Sequence, residues 1–364
     1  MTPTRRSVHT AYVGAHQFHA GLPVHWGQLA LQVLQMYAPD AGELAAVLGH
    51  PCDADVYGRL TDKLGREPIE DLRIDFEDGF GQRSDEEEDG GARTSAAVLA
   101  LDVTRGTGPA SCGIRIKPLG SEPGSPGARG ARGARTLDLF LTTLVDGCGG
   151  TLPVPFAVTL PKVGSVEAVS NLVREVEALE SRLDLEAGAV AIELMVETPQ
   201  AIIAPDGRCP LPDLVAATRG RCRGVHFGVY DYSAALGIAP ALHGLRHPVC
   251  DHARHVMQIA LAGTGVELSA GSTNVLPVPP RENVVQAWRL HFDDVWHALV
   301  SGFYHGWDLH PAQLVTRYAA VFTFFAECLN GPPEPGANLL EDPAAGRVRA
   351  ALRERARDCG AIPA

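Results

Sequence analysis

The sequence contains no long apolar run, and basic residues are scarce relative to acidic ones. No stretch approaches the roughly 18 uninterrupted apolar residues of a membrane span, which argues against a membrane protein. Lys and Arg number 31 against 43 Asp and Glu, a formal net charge of −12. A general nucleic-acid binder needs clustered basic residues, so we expect no nucleic-acid partner. An anionic small molecule stays compatible, because a cationic pocket can lie on an acidic protein.

Several familiar motifs are also missing. The eight cysteines form no C-x-x-C and have no paired zinc-site spacing, so we expect reduced thiols. The opening MTPTRRSVHT has no apolar core behind its arginines and does not read as a secretory signal, which favours the cytoplasm. No strand is followed by G-x-G-x-x-G, and no G-x-x-x-x-G-K-[ST] occurs, which argues against a doubly wound nucleotide-binding sheet.

What the sequence does contain is a regular alternation of short apolar runs and amphipathic stretches, such as Val24–Tyr37 and Val166–Leu183. With 39 Gly and 27 Pro, turns are frequent. This pattern predicts an α/β protein, a (β/α)8 TIM barrel over residues 1–330 with a short C-terminal helical appendage over 331–364. The predicted strands are Val8–Val13, Leu72–Phe76, Gly113–Ile116, Phe156–Leu160, Val190–Val196, Gly224–Val229, Val266–Ser269 and Trp307–Leu309.

Three segments have an unusual composition. Gly120–Arg135, rich in Gly, Pro and Arg, is predicted to be a loop over the barrel mouth. Either its arginines, Arg129, Arg132 and Arg135, close on a phosphate or CoA moiety of the substrate, or the segment is a disordered surface loop. The acidic run Asp85–Asp89 is predicted to be a solvated loop. Ala319–Phe325 fits either a core helix or a subunit interface.

Charged residues gather where the second, third and fourth strands end, the place where barrel enzymes keep their reactive groups. Asp75, Glu77 and Asp78 follow the second strand, either beside a neutralising cation or hydrated at a loop. On the third strand, alternation places Arg115 and Lys117 on one face. The fourth strand ends at Lys162 in a Leu-Pro-Lys sequence.

Carboxylates also end the next two strands. Glu197 lies at the end of the fifth strand, and Glu193 lies deeper on the same face and needs a buried partner. Asp231 follows the sixth strand. Two neighbouring carboxylates completed by water and substrate oxygens suit Mg²⁺, with Mn²⁺ as an alternative. His310, near the last strand, either contacts substrate or fixes the turn.

Seven blocks in order carry a family resemblance over most of the chain: HTAYVGA, DFEDG, RIK, LPKVGS, MVETPQA, FGVYDYS and DLHPAQ. In these the chain resembles the HpcH/HpaI aldolase and citrate lyase β-subunit superfamily, whose barrel is similar to that of malate synthase. The resemblance implies that Glu197 and Asp231 bind Mg²⁺ and that Arg115 binds an enolate. It also implies that Glu77 and Asp78 orient water or substrate, and that Lys162 matches the family's lysine.

The reaction implied is carbon–carbon lyase or aldolase chemistry on a 2-oxo acid or an acyl-CoA-linked substrate, through a metal-stabilised enolate. Two alternatives stay open: a malate synthase or malyl-CoA type of condensation or thioester hydrolysis, and a non-catalytic barrel that binds a metal or metabolite. The resemblance also implies a homo-oligomer, a trimer or a multiple of one. Departures such as R-I-K in place of the relatives' R-x-N suggest a separate branch. Asp75 and Lys117 are expected to touch substrate.

Overall fold

The computed structural model describes residues 5–119, 128–153, 155–330 and 343–363. Its eight parallel strands form one sheet in the order β7-β6-β5-β4-β3-β2-β1-β8, with helices between them, and this is a (β/α)8 TIM-barrel-like fold. Each predicted strand is confirmed, with ends shifted by up to two residues. The strands are β1 His9–Gly14, β2 Asp71–Asp75, β3 Ser111–Arg115, β4 Phe156–Leu160, β5 Val190–Val196, β6 Cys222–Phe227, β7 Glu267–Ser269 and β8 Gly306–Asp308.

Thirteen α-helices and one short 3-10 helix, Pro240–Leu242, connect and flank these strands in the described residues. The helices are α1 Leu22–Tyr37, α2 Ala41–Leu48, α3 Ala54–Arg66, α4 Asp85–Thr104, α5 Ala128–Gly147, α6 Val166–Arg182, α7 Pro199–Ile202, α8 Leu211–Ala217, α9 Val229–Ala235, α10 Pro248–Leu261, α11 Arg281–Val300, α12 Gln313–Asn330 and α13 Pro343–Cys359. In the part of the chain that the structure describes, none of them is long and apolar enough to cross a membrane.

The chain divides into two compact units that alternate along the sequence. We call residues 10–23 and 71–272 the strand unit, since they hold β2–β7 and most of β1. The remaining described residues form the helix unit, which holds β8, α2, α3, α11–α13 and most of α1. The boundary predicted at residue 330 stays a prediction.

In the strand unit, the strand register places four polar residues side by side at one level of the sheet. Asp75 pairs with Arg115, Arg115 with Thr159, and Thr159 with Glu193 across neighbouring parallel strands. Because parallel strands end at the same edge, the residues just beyond this level lie close together. This edge of the strand unit carries the candidate site described below.

At and below that level, buried charged side chains of the strand unit pair with one another. Arg73 donates from Nε to Glu193 Oε2 at 2.8 Å and from Nη1 to Asp71 Oδ1 at 2.7 Å. Thr159 Oγ1 donates to Glu193 Oε2 at 2.8 Å. The predicted need of the inward-facing Glu193 for a buried partner is confirmed. Paired in this way, the buried charges avoid most of the penalty of leaving water.

The helix unit has a mainly aromatic and aliphatic core around α12. The segment Ala319–Phe325 is buried along its whole length, so within this chain it serves as a core helix. His9 Nδ1 lies 2.8 Å from Asp308 Oδ2, and both side chains are buried. The predicted helical character of the C-terminal appendage is confirmed by α13.

The acidic run Asp85–Asp89 is not a loop, contrary to prediction. Ser84 caps the start of α4, where its side chain accepts from the Glu87 backbone N–H and Glu87 bonds back to the Ser84 N–H. Acidic residues are favourable in a first helical turn because they face the positive end of the helix dipole. Glu88 is fully buried and pairs with Lys117 and Arg132, so part of the run lies inside the protein.

The prediction of a loop over Gly120–Arg135 is wrong for its C-terminal part, which is helical. Residues 120–127 lie outside the described residues, and α5 begins at Ala128. Arg132 and Arg135, which the pattern placed in the loop, lie on this helix. Their partner is Asp89 of α4, which gives the Gly- and Arg-rich sequence a reason to be helical.

Candidate active site

The loop after β2 folds around the carboxylate of Asp75. Its Oδ1 accepts from the backbone N–H of Glu77 at 2.9 Å, and its Oδ2 accepts from that of Gly79 at 2.7 Å. A Cβ at position 79 would come within 2.4 Å of Asp75 Oδ2, so this approach requires glycine. The loop therefore presents Glu77 and Asp78 beyond the end of the strand in a fixed conformation.

Asp75 also fixes Arg115, which is buried at the end of β3. Arg115 Nε donates to Asp75 Oδ1 at 2.7 Å, and Nη2 donates to Oδ2. Its Nη1 faces Glu77 Oε2 at 3.5 Å, and the Tyr12 ring lies 5.3 Å from the guanidinium carbon. Burial alone would lower the pKa of Arg115, but Asp75 raises it well above its usual range. Both carboxylate oxygens of Asp75, which was expected to touch substrate, are thus engaged by Arg115 and by the backbone of the loop.

Glu197 lies directly after β5, with 3% of its surface exposed. Its Oε2 accepts from the backbone N–H of Lys162 at 2.9 Å. A Cβ on Gly228 would come within 2.3 Å of Glu197 Cγ, so the bare backbone of Gly228 makes room for this carboxyl group. Burial raises the pKa of Glu197 to about 7, despite the opposing charges of Lys162 and Arg115.

Asp231 is in the first turn of α9 and completes a group of three carboxylates with Asp78 and Glu197. One oxygen from each lies within 4.8 Å of the other two. Asp231 Oδ2 is shielded from solvent and makes no hydrogen bond to the described part of the chain, although Lys162 Nζ lies 2.9 Å away. Converging carboxylate oxygens with one such shielded acceptor fit the ligand preference of Mg²⁺ or Mn²⁺.

Glu77 and Asp78 form a coupled pair beside Lys162. Lys162 Nζ donates to Glu77 Oε1 at 2.5 Å and lies 3.4 Å from both oxygens of Asp78. Burial and the hydrogen bond with Asp78 raise the pKa of Glu77 to about 8. Burial acts on Asp78 in the same direction, but the Glu77 hydrogen bond and the two nearby cations lower its pKa overall. The pair can therefore hold one proton near neutral pH.

Three residues predicted for the site are not among these groups. Lys117 Nζ bonds Glu88, and Arg135 Nε donates to both oxygens of Asp89 at 3.0 Å. His310 lies in the helix unit, where its Nδ1 accepts from the Ala312 backbone N–H at 3.2 Å. This contact supports the turn-fixing alternative for His310.

Sequence reasoning missed two contributors to the site. The ring of Tyr12 packs on Arg115. The sequence gives no reason to single out Tyr12 beyond its place in the block HTAYVGA. No role was predicted for Gly228, a residue of the block FGVYDYS. A glycine directly before a turn that carries a candidate metal ligand often marks a place where another group approaches the backbone closely. The structure also places Asp78 with Glu197 and Asp231, beyond the water-orienting role expected for it.

Solved structures with a similar fold include several forms of the malate synthase of Haloferax volcanii. Its magnesium and glyoxylate complex is 14% identical, with 98% of this chain and 90% of that chain covered and a TM-score of 0.57. Its native form at 3 mM glyoxylate is 15% identical, covers 94% and 81%, and has a TM-score of 0.56. The pyruvate and acetyl-CoA ternary complex is 14% identical, covers 94% and 74%, and has a TM-score of 0.53. At this identity the likeness concerns the fold.

The search of curated proteins finds no match to this chain. One family model matches all of it, over residues 1–364, and that family is described as a domain of unknown function, DUF6986. The chain belongs to the DUF6986 family.

Proposed function

We propose that this protein is an Mg²⁺-dependent enzyme that makes or breaks a carbon–carbon bond next to the carbonyl of a 2-oxo acid, through an enolate. The observation that carries the proposal is the convergence of Asp78, Glu197 and Asp231 within 4.8 Å. Arg115, a buried cation, lies beside them. A cation beside a divalent-metal site is what an enolate requires, because negative charge develops on its oxygen.

The three carboxylates would hold the metal. Within the cluster, the five carboxyl groups of Asp75, Glu77, Asp78, Glu197 and Asp231 face two cationic side chains, Arg115 and Lys162. Even with one proton held by Glu77 and Asp78, the carboxylates outnumber the two cations, and this excess of negative charge favours a divalent ion. When bound, Mg²⁺ supplies Lewis-acid polarisation of the substrate's oxo group.

Arg115 binds the oxygen on which the enolate charge develops. Asp75 holds its Nε and Nη2, which leaves Nη1 facing Glu77 and Asp78 toward the site. A guanidinium fixed in advance needs no reorganisation as the charge forms. One such contact is typically worth about 3–4 kcal/mol of transition-state stabilisation.

Glu77 is the group we propose for proton transfer. A general base works best when its pKa lies near the working pH, and burial raises the pKa of Glu77 to about 8. In its deprotonated form the Glu77 carboxylate can accept a proton from the carbon next to the carbonyl, and in its protonated form Glu77 can return that proton.

The first candidate reaction is lyase or aldolase cleavage, as the citrate lyase and HpcH/HpaI resemblance implies. A second candidate is condensation or thioester hydrolysis with an acyl-CoA. The similar structures include two complexes of malate synthase, one with magnesium and glyoxylate and one with pyruvate and acetyl-CoA. This likeness in fold supports condensation as a candidate. A panel of 2-oxo acids with and without CoA esters, each with Mg²⁺, separates the two.

Enolate formation is tested by deuterium exchange at the methyl group of pyruvate, followed by NMR in D₂O with Mg²⁺. We expect exchange in the wild type and at least a hundredfold slower exchange in Arg115→Lys, since a lysine cannot keep the two-point contact with Asp75 and still face the substrate. The control is Arg174→Lys, on the surface of α6, which should exchange at the wild-type rate. Equal exchange in Arg115→Lys and wild type would remove Arg115 from the proposal, and wild type without exchange or turnover would favour a non-catalytic barrel.

A further inference from the structure

Lys162 occupies an unusual backbone position at the centre of the carboxylate cluster. It follows Pro161 at the end of β4 and has φ +49°, in the left-handed region that favours glycine. Its backbone N–H donates to Glu197 Oε2 at 2.9 Å. Strained backbone persists where the surrounding structure fixes it, often at functional sites. Here it directs one residue to the carboxylates from both its backbone and its side chain.

The Lys162 ammonium contacts three carboxyl groups of the cluster. Nζ lies 2.5 Å from Glu77 Oε1, 2.9 Å from Asp231 Oδ2 and 3.4 Å from both oxygens of Asp78. Two of these three residues, Asp78 and Asp231, are also members of the proposed metal-ligand group. The ammonium and a divalent ion would therefore both contact the carboxylates of Asp78 and Asp231.

The other cation of the cluster is held differently. Arg115 is bound by Asp75 through two hydrogen bonds, and its Nη1 stays 3.8 Å from Asp78. Lys162 is a single charge on a flexible four-carbon stem, and about a fifth of its side chain is exposed. Two cations a few ångströms apart repel each other strongly in a partly buried site. Lys162 is thus the cation able to move when a metal ion enters.

We propose that the Lys162 ammonium is a built-in counter-ion that competes with the divalent ion for Asp78 and Asp231 and so limits the metal affinity of the site. This inference rests on the metal site of the proposed function. It assigns Lys162 a positioning role in the cluster, since the ammonium neutralises the carboxylates until the metal replaces it.

The test measures Mn²⁺ dissociation constants by electron paramagnetic resonance, without substrate. Lys162→Met keeps the backbone hydrogen bond and most of the side-chain volume but removes the charge. A neighbouring charge changes ionic equilibria at a carboxylate by about one to three powers of ten, so we expect Lys162→Met to bind Mn²⁺ at least tenfold more tightly. Lys162→Arg, which keeps the charge, should stay within a few-fold of wild type.

The matched control is Arg174→Met, which removes an exposed cation of α6 in the same unit. Its Mn²⁺ affinity should equal that of the wild type. If Lys162→Met does not fold, Lys162→Gln carries the same prediction. An affinity in the neutral variant equal to or weaker than wild type would overturn the inference while leaving the metal site intact. Tight binding only in the neutral variant would support it, and absence of Mn²⁺ binding in every variant would refute it together with the metal site.

Discussion

At the scale of single residues, the site depends on close contacts between carboxylates and the backbone as much as on the charged groups. Glu197 is buried between the Lys162 backbone N–H and the bare Cα of Gly228. Asp75 is held in the same way by the backbone of Glu77 and Gly79. Small neighbours and backbone donors therefore fix the carboxylates before any ligand binds, which is the arrangement that preorganised sites require.

We predict that Gly228→Ala impairs the metal site. The new Cβ would come within 2.3 Å of Glu197 Cγ, and a buried side chain can give way only by distorting its surroundings. Overpacking of this kind costs about 1–3 kcal/mol of unfolding free energy. A change in a residue that holds a metal ligand in place typically lowers the metal affinity about 10- to 100-fold. Urea unfolding and Mn²⁺ titration measure the two effects.

Gly164→Ala is the matched control for this substitution. Position 164 lies in the same unit and a Cβ there meets nothing within 4 Å. Both its stability and its Mn²⁺ affinity should match the wild type. If Gly228→Ala behaves like Gly164→Ala, the close approach has no functional role.

At the scale of elements, the junction of α4 and α5 shows how a charged sequence becomes part of the interior. Glu88 has no exposed surface and contacts Lys117, Arg132 and Thr136. Glu86, two residues earlier in the same acidic run, is exposed. The two residues look equivalent in the sequence, and the packing of α5 on α4 separates them.

We therefore expect Glu88→Gln to destabilise the protein and Glu86→Gln to leave it unchanged. Neutralising Glu88 leaves the Lys117 ammonium without its charge partner and removes one of the carboxylates that pair with Arg132, which keeps Asp89. Breaking a buried pair in this way costs about 3 kcal/mol. Exposed charges contribute close to nothing. Chemical unfolding of the two variants gives the comparison, and equal midpoints would mean that Glu88 is not buried as described.

At the scale of the whole molecule, the sequence predicted the barrel because its eight apolar runs alternate with amphipathic helices. That signal is local and repeats along the chain, so the strand positions could be read within two residues. The ends of β2, β3, β4 and β5 could be assigned to one site for the same reason, since parallel strands end together.

What could not be predicted depends on contacts distant in the chain. The acidic run was expected in solvent because nothing near Glu88 reveals that Lys117 and Arg132 cover it. Alternation placed Lys117 with Arg115, but Lys117 lies two residues beyond the end of β3, and its ammonium binds Glu88. The left-handed backbone of Lys162 also has no signature in a Leu-Pro-Lys sequence.

The central claim is that Glu197 and Asp231, with Asp78, form a divalent-metal site. Calorimetric titration of the whole chain with Mn²⁺, and then with Mg²⁺, tests it most directly. We use Glu197→Gln and Asp231→Asn, which keep the side-chain shape, and Asp213→Asn on α8 as the control. The account predicts one ion per chain in the wild type and the control, and at least a hundredfold weaker binding in the two site variants. Wild-type affinity in both site variants would contradict it.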